Sequence, residues 1–219
     1  MKLGILSDIH EAVELLEGAL GRFDREGVDR VVVLGDVFET GPRIEATVEI
    51  LRRAGAVGVF GNHDYGLSTP PSDYIRERFS ERVLAYMGSL LPRMEFEGCF
   101  FAHREPWLDC SDVAQVWHVD EEPLTPSSIA RSFDAAASRS IFIGHFHRWA
   151  AFARSGLIDW EDGTSLALCD DGPTLVVVNA VCDGHAATFE TTTRVLTPLD
   201  LYADRTRPDR RPLPPLVTG

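Results

Sequence analysis

Side chains able to bind metal ions or transfer protons follow several apolar segments of this chain. Carboxylate, imidazole and amide groups together suit manganese, iron or zinc better than calcium. Five of the seven histidines belong to this set, a concentration that random placement would rarely produce. The set consists of Asp8, His10, Asp36, Asn62, His63, Asp64, His103, His145 and His147.

The spacing within this set favours shared sites. His10 follows Asp8 by two positions, and His147 follows His145 by two. Residues two apart in an extended backbone point to the same side, so each pair can serve one site. Asp36 has two carboxylate oxygens and could therefore bridge two ions.

Residues 57–64, with the sequence VGVFGNHD, show the pattern most clearly. An apolar run ends at Gly61 and is followed directly by an amide, an imidazole and a carboxylate. Such a strand in an open α/β fold delivers polar residues to the carboxyl edge of the sheet, where ligands bind. Alternatively, Gly61 and Asn62 form only a tight turn and His63 is solvated.

The elements that would position these residues alternate between strand and helix. Apolar runs predict strands at residues 2–7, 31–34 and 56–60, and helical spacing predicts helices at 11–26 and 43–54. Three strand–helix units in succession imply a parallel sheet with right-handed crossovers.

The second half of the chain mixes the two element types. We predict a loop at 65–71, a helix at 72–91, a hairpin at 94–102, a helix from Ser127 or Ser128 to about 137, and a strand at 140–143. Short strands are expected at 150–152, 165–168, 175–179 and 186–190, with hairpin turns at Asp162-Gly163, Asp171-Gly172 and Asp183-Gly184. Residues 104–126 lack regular patterning and form either an active-site lid or a plain surface loop.

Length and composition indicate one globular domain. The 219 residues are enough for one well-packed domain, predicted at 1–204. Residues 205–219 form an Arg/Pro-rich tail, either disordered or lying on the surface. The sequence does not indicate an oligomeric state.

Charge and targeting signals restrict the partners. The net charge of −13 would repel nucleic acid and anionic membranes unless bound cations reverse the sign locally. The amino-terminal segment is read as a first strand and not a signal peptide, and no segment is long enough to span a bilayer. The four cysteines show no metal-binding or redox spacing, which favours free thiols and a cytoplasmic location.

The ordered blocks DIH, GDVFETGP, GNHD, a single histidine after a strand, and GHFH resemble the calcineurin-like metallophosphoesterase superfamily over residues 1–147. The resemblance implies an α/β fold, a sandwich of two mixed β-sheets flanked by helices. It implies one metal ion bound by Asp8, His10, Asp36 and His147. It implies a second bound by Asp36, Asn62, His103 and His145, with Asp36 as the bridge. His63 would be the acid, and Asp64 would orient the His63 ring by a hydrogen bond.

The implied activity is hydrolysis of a small phosphomonoester or phosphodiester, with a nucleotide among the candidates. A pair of divalent ions, manganese or iron in preference and zinc as an alternative, would activate a hydroxide that attacks phosphorus. His63 would protonate the leaving group. Two other functions stay open: a non-catalytic metal-binding scaffold, and a nuclease, which the acidic charge disfavours.

Two departures from the family pattern concern substrate binding. Many members carry Asp-Arg where this chain has Glu39-Thr40, so the arginine that grips phosphate is missing. Arg104 follows His103, where glycine is common. We hypothesise that Arg104 binds the substrate phosphate. A surface salt bridge is the alternative role, Arg148 is a weaker candidate for phosphate binding, and His118 and His185 are read as ordinary surface or loop histidines.

Overall fold

The computed structural model describes residues 1–118 and 124–202. Two six-stranded sheets form a sandwich with helices on the outer faces. This confirms the predicted α/β sandwich of two mixed β-sheets. The helices are α1 (Val13–Glu26), α2 (Ile44–Arg53), α3 (Tyr65–Ser68), α4 (Asp73–Arg78), α5 (Glu81–Met87), α6 (Val113–Val116) and α7 (Pro126–Ala135).

The first sheet contains the amino-terminal strands and the last two strands. Its members are β1 (Lys2–Leu6), β2 (Arg30–Val33), β3 (Val57–Gly58), β9 (Leu166–Ala167), β11 (His185–Glu190) and β12 (Val195–Asp200). The spatial order is β3-β2-β1-β11-β12-β9. The pairs β1–β2 and β2–β3 are parallel, as predicted, whereas β1–β11, β11–β12 and β12–β9 are antiparallel.

The second sheet is built from the middle of the chain. Its members are β4 (Met94–Phe96), β5 (Cys99–Phe101), β6 (Ser140–Ile143), β7 (Ala150–Ala153), β8 (Gly156–Leu157) and β10 (Thr174–Val177). The spatial order is β4-β5-β6-β10-β7-β8. The pairs β5–β6 and β6–β10 are parallel, and β4–β5, the predicted hairpin, is antiparallel.

The main core lies between the sheets. Phe142 in the second sheet stacks on Phe101 at a centroid distance of 5.5 Å and meets Phe189 of the first sheet at 4.9 Å. Alternate residues of the first sheet, including Leu6 and Val33, pack instead against the outer helices. Burial on both faces explains why the parallel strands read as continuous apolar runs.

The helical predictions need two corrections between residues 65 and 91. The predicted loop at 65–71 begins with the short helix α3. The single helix predicted at 72–91 is two helices, because Phe79 is extended and the Ser80 hydroxyl accepts from the Val83 N–H to start α5.

The start of α7 also differs from the prediction. Thr125, and not Ser127 or Ser128, caps the helix by accepting from the Ser128 N–H. Pro126 occupies the first helical position, where its missing N–H costs no hydrogen bond.

The three Asp-Gly hairpin predictions are wrong. Asp162-Gly163, Asp171-Gly172 and Asp183-Gly184 lie between β8 and β9, β9 and β10, and β10 and β11. In every case the two strands belong to different sheets. Asp-Gly favours a local reversal, but long-range packing decides which strand is the partner.

Part of the irregular segment, and all of the tail, lie outside the described residues. Residues 104–118 contain α6, and residues 119–123 are not described. The tail predicted at 205–219 and the predicted domain end at 204 are likewise outside the described ranges. Within those ranges, no helix has both the length and the apolar character that crossing a membrane requires.

Candidate metal centre

The metal-binding candidates meet where the carboxyl ends of the strands of both sheets come together. Asp8, Asp36 and Asn62 follow β1, β2 and β3 of the first sheet. His103 follows β5, and His145 and His147 follow β6, in the second sheet. Their donor atoms come within 4 Å of one another in several pairs across the two sheets. The sandwich therefore brings distant parts of the sequence to one site.

Backbone strain is concentrated at this site. Asp8, His10, Asp36, His145 and His147 have φ values of 50°, 45°, 51°, 66° and 49°. Residues other than glycine rarely adopt this left-handed conformation, which costs on the order of 1–3 kcal/mol each. The surrounding structure must hold these residues in place, which is typical of functional sites.

Two glycines allow the loops to approach closely. A Cβ atom at Gly61 would lie 2.1 Å from Asp36 Oδ1. One at Gly144 would lie 1.9 Å from the Ser7 hydroxyl and 2.8 Å from Asp8 Oδ2. Only glycine fits at these positions without displacing a candidate ligand.

The Asn62 group consists of Asp36, Asn62, His103 and His145. Asn62 Oδ1 is 3.0 Å from His103 Nε2 and 3.0 Å from His145 Nδ1. Asp36 Oδ2 is 3.3 Å from His103 Nε2. The ligand atoms of Asp36, His103 and His145 all lie within 4.8 Å of one another, close enough to bind one ion.

The Asp8 group consists of Asp8, His10, Asp36 and His147. Asp8 Oδ1 is 3.3 Å from His147 Nε2 and 3.9 Å from His10 Nε2. Asp36 Oδ2 is 3.7 Å from the same His10 nitrogen. Because Asp36 Oδ2 also faces His103, this carboxylate lies between the two groups.

Neighbouring groups orient the histidines. His103 Nδ1 donates to the Leu34 carbonyl at 2.8 Å, so Nε2 is the ring nitrogen that could bind a metal. His147 Nδ1 lies 2.9 Å from Asp183 Oδ2 in the same manner. His10 Nδ1 faces Glu39 Oε2 at 2.7 Å. The nitrogens that remain all face the aspartate oxygens.

An unpartnered oxygen tests whether these residues fit a metal. Asp8 is fully buried and its Oδ2 accepts from the Ser7 hydroxyl at 2.5 Å and the His145 N–H at 2.9 Å. Its Oδ1, which faces the imidazoles, has no hydrogen-bond donor among the residues that the structure describes. A buried carboxylate oxygen aimed at metal-binding nitrogens fits a bound cation.

The electrostatics of the site favour positive charge. Burial alone would lower the pKa of His103, but Asp36 and Asp8 raise it to about 9. Burial also opposes protonation of His147, yet Asp183 and Asp8 raise its pKa to about 12. Burial would raise the pKa of Asp36, but His103 holds it below the ordinary value. Bound cations would supply this positive charge in place of the protons.

His63 stands at the edge of the two groups. Its ring centroid is 4.8 Å from that of His10, and its backbone N–H donates to Asp36 Oδ1 at 2.9 Å. Its side chain is 31% exposed, so a substrate can reach it. Its Nδ1 lies 3.5 Å from Glu39 Oε2.

The Asp64 carboxylate has different partners from those expected. It accepts from the backbone N–H groups of Gly61 and Phe38 at 2.9 Å and of Val37 at 3.3 Å. Complete burial and the nearby Asp36 raise the pKa of Asp64 to about 6. Asp64 therefore fixes the loops around Asp36, and Glu39, not Asp64, faces the His63 ring.

Arg104 is buried beside the Asn62 group. Only 5% of the residue is exposed, and its guanidinium contacts the Glu105 carboxylate at 3.4 Å and donates to the His118 carbonyl. Burial of His145, followed by the charges of His103 and then Arg104, lowers the pKa of His145 to about 3. The ion pair of Arg104 with Glu105 is thus internal and not a surface salt bridge. Arg148 Nε donates to the Phe146 carbonyl at 3.3 Å.

Three positioning residues were missed by sequence reasoning. Glu11 binds the loop after β2, Glu39 faces two histidines, and Asp183 orients His147. In the sequence, Glu39 stands out only as a departure from the family pattern, and Asp183 only as part of a turn signal. Their partners are distant in sequence, so no local pattern identifies them.

A family match covers most of the chain. Residues 1–181 match the calcineurin-like phosphoesterase superfamily domain. A curated relative, an uncharacterized protein of Methanocaldococcus jannaschii, is 34% identical over 65 residues, which is 30% of this chain and 27% of that protein. The match thus spans about a quarter of the relative's length.

Solved structures share the fold. A metallophosphoesterase from Sphaerobacter thermophilus aligns with a TM-score of 0.72 and 24% identity, covering 90% of this chain and 86% of that one. A structure described as a novel archaeal phosphodiesterase aligns with a TM-score of 0.53 and 15% identity, covering 91% and 99%. A putative diadenosine tetraphosphatase aligns with a TM-score of 0.51 and 20% identity, covering 90% and 93%.

Proposed function

The chain belongs to the calcineurin-like phosphoesterase superfamily, and from this premise we propose that it hydrolyses a small phosphomonoester or phosphodiester with a pair of divalent transition-metal ions. The observation that carries the proposal is the convergence of the Asp8 group and the Asn62 group on the shared carboxylate of Asp36. The proposed domain, 1–204, extends past the family match because β11 and β12 complete the sheet that contains β1.

The donor set supports manganese or iron, with zinc as an alternative. It combines carboxylate oxygens, imidazole nitrogens and one amide oxygen, which suits borderline divalent metals. Asp8, His10, Asp36 and His147 would hold one ion, and Asp36, Asn62, His103 and His145 the other. When bound, such a pair activates water and neutralises phosphoryl oxygens.

His63 is proposed to act on the leaving group. Water adds to phosphorus and releases one proton to solvent, and the bond from phosphorus to the leaving oxygen breaks. His63 donates a proton to that oxygen and takes up a proton from solvent after the product leaves. Glu39, 3.5 Å from His63 Nδ1, would orient the ring. The partial exposure of His63 at the edge of the two groups supports this role.

Arg104 keeps its proposed role at the substrate phosphate only in a modified form. Because it is buried and paired with Glu105, it would act through its charge beside the Asn62 group, or after a change of partner. A small phosphorylated substrate and a cytoplasmic location complete the proposal.

The leaving group provides a sharp test of His63. With manganese added, we expect the wild-type protein to hydrolyse p-nitrophenyl phosphate or bis-p-nitrophenyl phosphate. The same substrate with phenol in place of p-nitrophenol is the comparison ester. In His63→Ala, kcat for this phenyl ester should fall by about 10² to 10⁴. The fall should be smaller for the p-nitrophenyl ester, because p-nitrophenol is more acidic than phenol and leaves without a proton.

Controls separate the chemistry from metal loss. His63→Ala should keep the metal content of the wild type, measured by elemental analysis, whereas His103→Ala should lose metal. His118→Ala changes an exposed histidine and should leave both rates unchanged. Metal binding without hydrolysis of either ester would favour the non-catalytic scaffold. An equal loss for both leaving groups would rule out His63 as the acid.

A further inference from the structure

An exposed tryptophan stands beside the proposed acid. Trp117 is 49% exposed, and its ring centroid lies 5.1 Å from that of His63 at an interplanar angle of 47°. The other tryptophans of the chain, Trp107, Trp149 and Trp160, are buried or partly buried. A large apolar ring left open to solvent at a reaction centre is suited to contact with a ligand.

The segment that carries Trp117 is held in place at several points. The Tyr65 hydroxyl donates to the Ser111 carbonyl at 2.8 Å, and Arg93 donates to the Leu108 carbonyl at 2.5 Å. Arg104 donates to the carbonyl of His118, the residue after Trp117. The backbone that carries Trp117 is therefore anchored on both sides of α6.

The short helix before Trp117 is also capped. The Asp112 side chain accepts from the Ala114 N–H at 2.9 Å, and the Trp117 N–H donates to the Val113 carbonyl at 3.0 Å. A ring on an anchored backbone and in contact with His63 loses little freedom when it stacks on a planar ligand. Trp117 thus has the properties of a preformed stacking platform.

We propose that Trp117 stacks on the nucleobase of a substrate whose leaving group is a nucleoside. This inference rests on the proposed function, in which His63 protonates the leaving oxygen. A leaving group bound at His63 would have Trp117 as an aromatic neighbour, since the two ring centroids are 5.1 Å apart. A nucleoside places a planar base one sugar away from the ester oxygen, and base stacking on indole does not depend on base identity.

The charge of the chain restricts this substrate to a small one. The net charge of −13 opposes a long polyanion, because repulsion grows with each additional phosphate. Glu39, half-exposed beside His63, adds negative charge at the same edge. A free nucleotide or a short nucleotide ester fits both constraints better than nucleic acid.

Titration calorimetry on the manganese-loaded full-length protein tests the proposal. The probes are adenosine, which carries the base without phosphate, and inorganic phosphate, which carries no base. Trp117→Ala should raise the Kd of adenosine about five- to 150-fold and leave the Kd of phosphate within about twofold. Trp117→Phe should give an intermediate Kd for adenosine, because a smaller ring stacks less.

Val113→Ala is the matched control. Val113 is also 49% exposed and lies on α6, and the substitution keeps its backbone carbonyl. It should leave both dissociation constants unchanged. Adenosine binding that survives Trp117→Ala, or that is absent from the wild type, would overturn the proposal. So would parallel losses of adenosine and phosphate, which would mean that Trp117 only supports the metal site.

The outcome can be separated from that of the proposed function. Calorimetry with adenosine requires no turnover. If the wild type hydrolyses no ester but Trp117→Ala weakens adenosine binding, the phosphoesterase proposal fails and the base platform stands. If hydrolysis occurs and adenosine binding is insensitive to Trp117, only the platform fails.

Discussion

At the scale of single residues, Glu11 shows how one buried carboxylate organises a ligand loop. Its Oε1 accepts from the backbone N–H groups of Glu39 at 3.0 Å and Gly41 at 2.6 Å. Its Oε2 accepts from the backbone N–H of Arg43 at 2.7 Å. These bonds fix the segment that follows Asp36 and carries Glu39. The residue contributes to the site without reaching its centre.

Glu11→Gln should reduce the free energy of unfolding by about 1.5–3 kcal/mol, because the amide directs N–H groups at a backbone donor. Urea unfolding of the metal-free protein would measure this change. Glu14→Gln, in the first turn of α1, alters a mostly exposed partner of the Arg43 side chain and should have a smaller effect. Equal losses in the two variants would contradict the role given to Glu11.

At the scale of elements, the turn after β3 depends on close approach of two backbones. Gly61 lies against the loop after β2, and its N–H donates to Asp64 at 2.9 Å. A Cβ atom at Gly66, five positions later in α3, would meet none of the described residues within 4 Å. The two glycines thus differ in packing although they are neighbours in sequence.

Gly61→Ala should lower metal content and activity together, because the new methyl group would displace the Asp36 carboxylate from its place between the two groups. Gly66→Ala should keep both and leave stability unchanged or raise it by up to about 1 kcal/mol, since alanine favours helix. Elemental analysis and ester hydrolysis on both variants would check this. Full metal occupancy in Gly61→Ala would show that the loops can separate without cost.

At the scale of the whole molecule, the candidate ligands join the two sheets. Asp8, Asp36 and Asn62 come from the first sheet, and His103, His145 and His147 come from the second. Cations at this site would bind only the folded protein, because the unfolded chain does not bring the candidate ligands of the two sheets together. Metal should therefore stabilise the complete fold and not one loop.

Manganese at about 100 times its Kd should add about 2.7 kcal/mol to the free energy of unfolding. For a chain of this size that corresponds to a rise in Tm of about 5–10 °C, lost on addition of a chelator. Calorimetric scans would measure it. Asp36→Asn should abolish the rise, whereas Asp134→Asn, which changes an exposed carboxylate paired with Arg154, should keep it. A full rise in Asp36→Asn would argue against the shared site.

How well each element was predicted from the sequence depended on whether local or long-range interactions determine it. Strands β1 and β2 and helices α1 and α2 were predicted within about two residues, because apolar periodicity is a local property. The break before Ser80 and the Thr125 cap were missed, since several hydroxyl residues nearby could have served. Strand β12 was not predicted, because its pattern is interrupted by Pro198.

The sequence by itself determined which donor groups follow which strands, since apolar runs that end in Asp, Asn or His place them at a sheet edge. Only the tertiary structure decided how those groups are oriented. The Leu34 carbonyl, 69 positions away in the sequence, bonds His103 Nδ1 and so turns Nε2 toward the site. Asp183, 36 positions away, does the same for His147. The left-handed backbone at Asp8, Asp36 and His145 is likewise imposed by the packed sheets. Orientation depends on contacts between distant segments, and no local pattern of residues contains them.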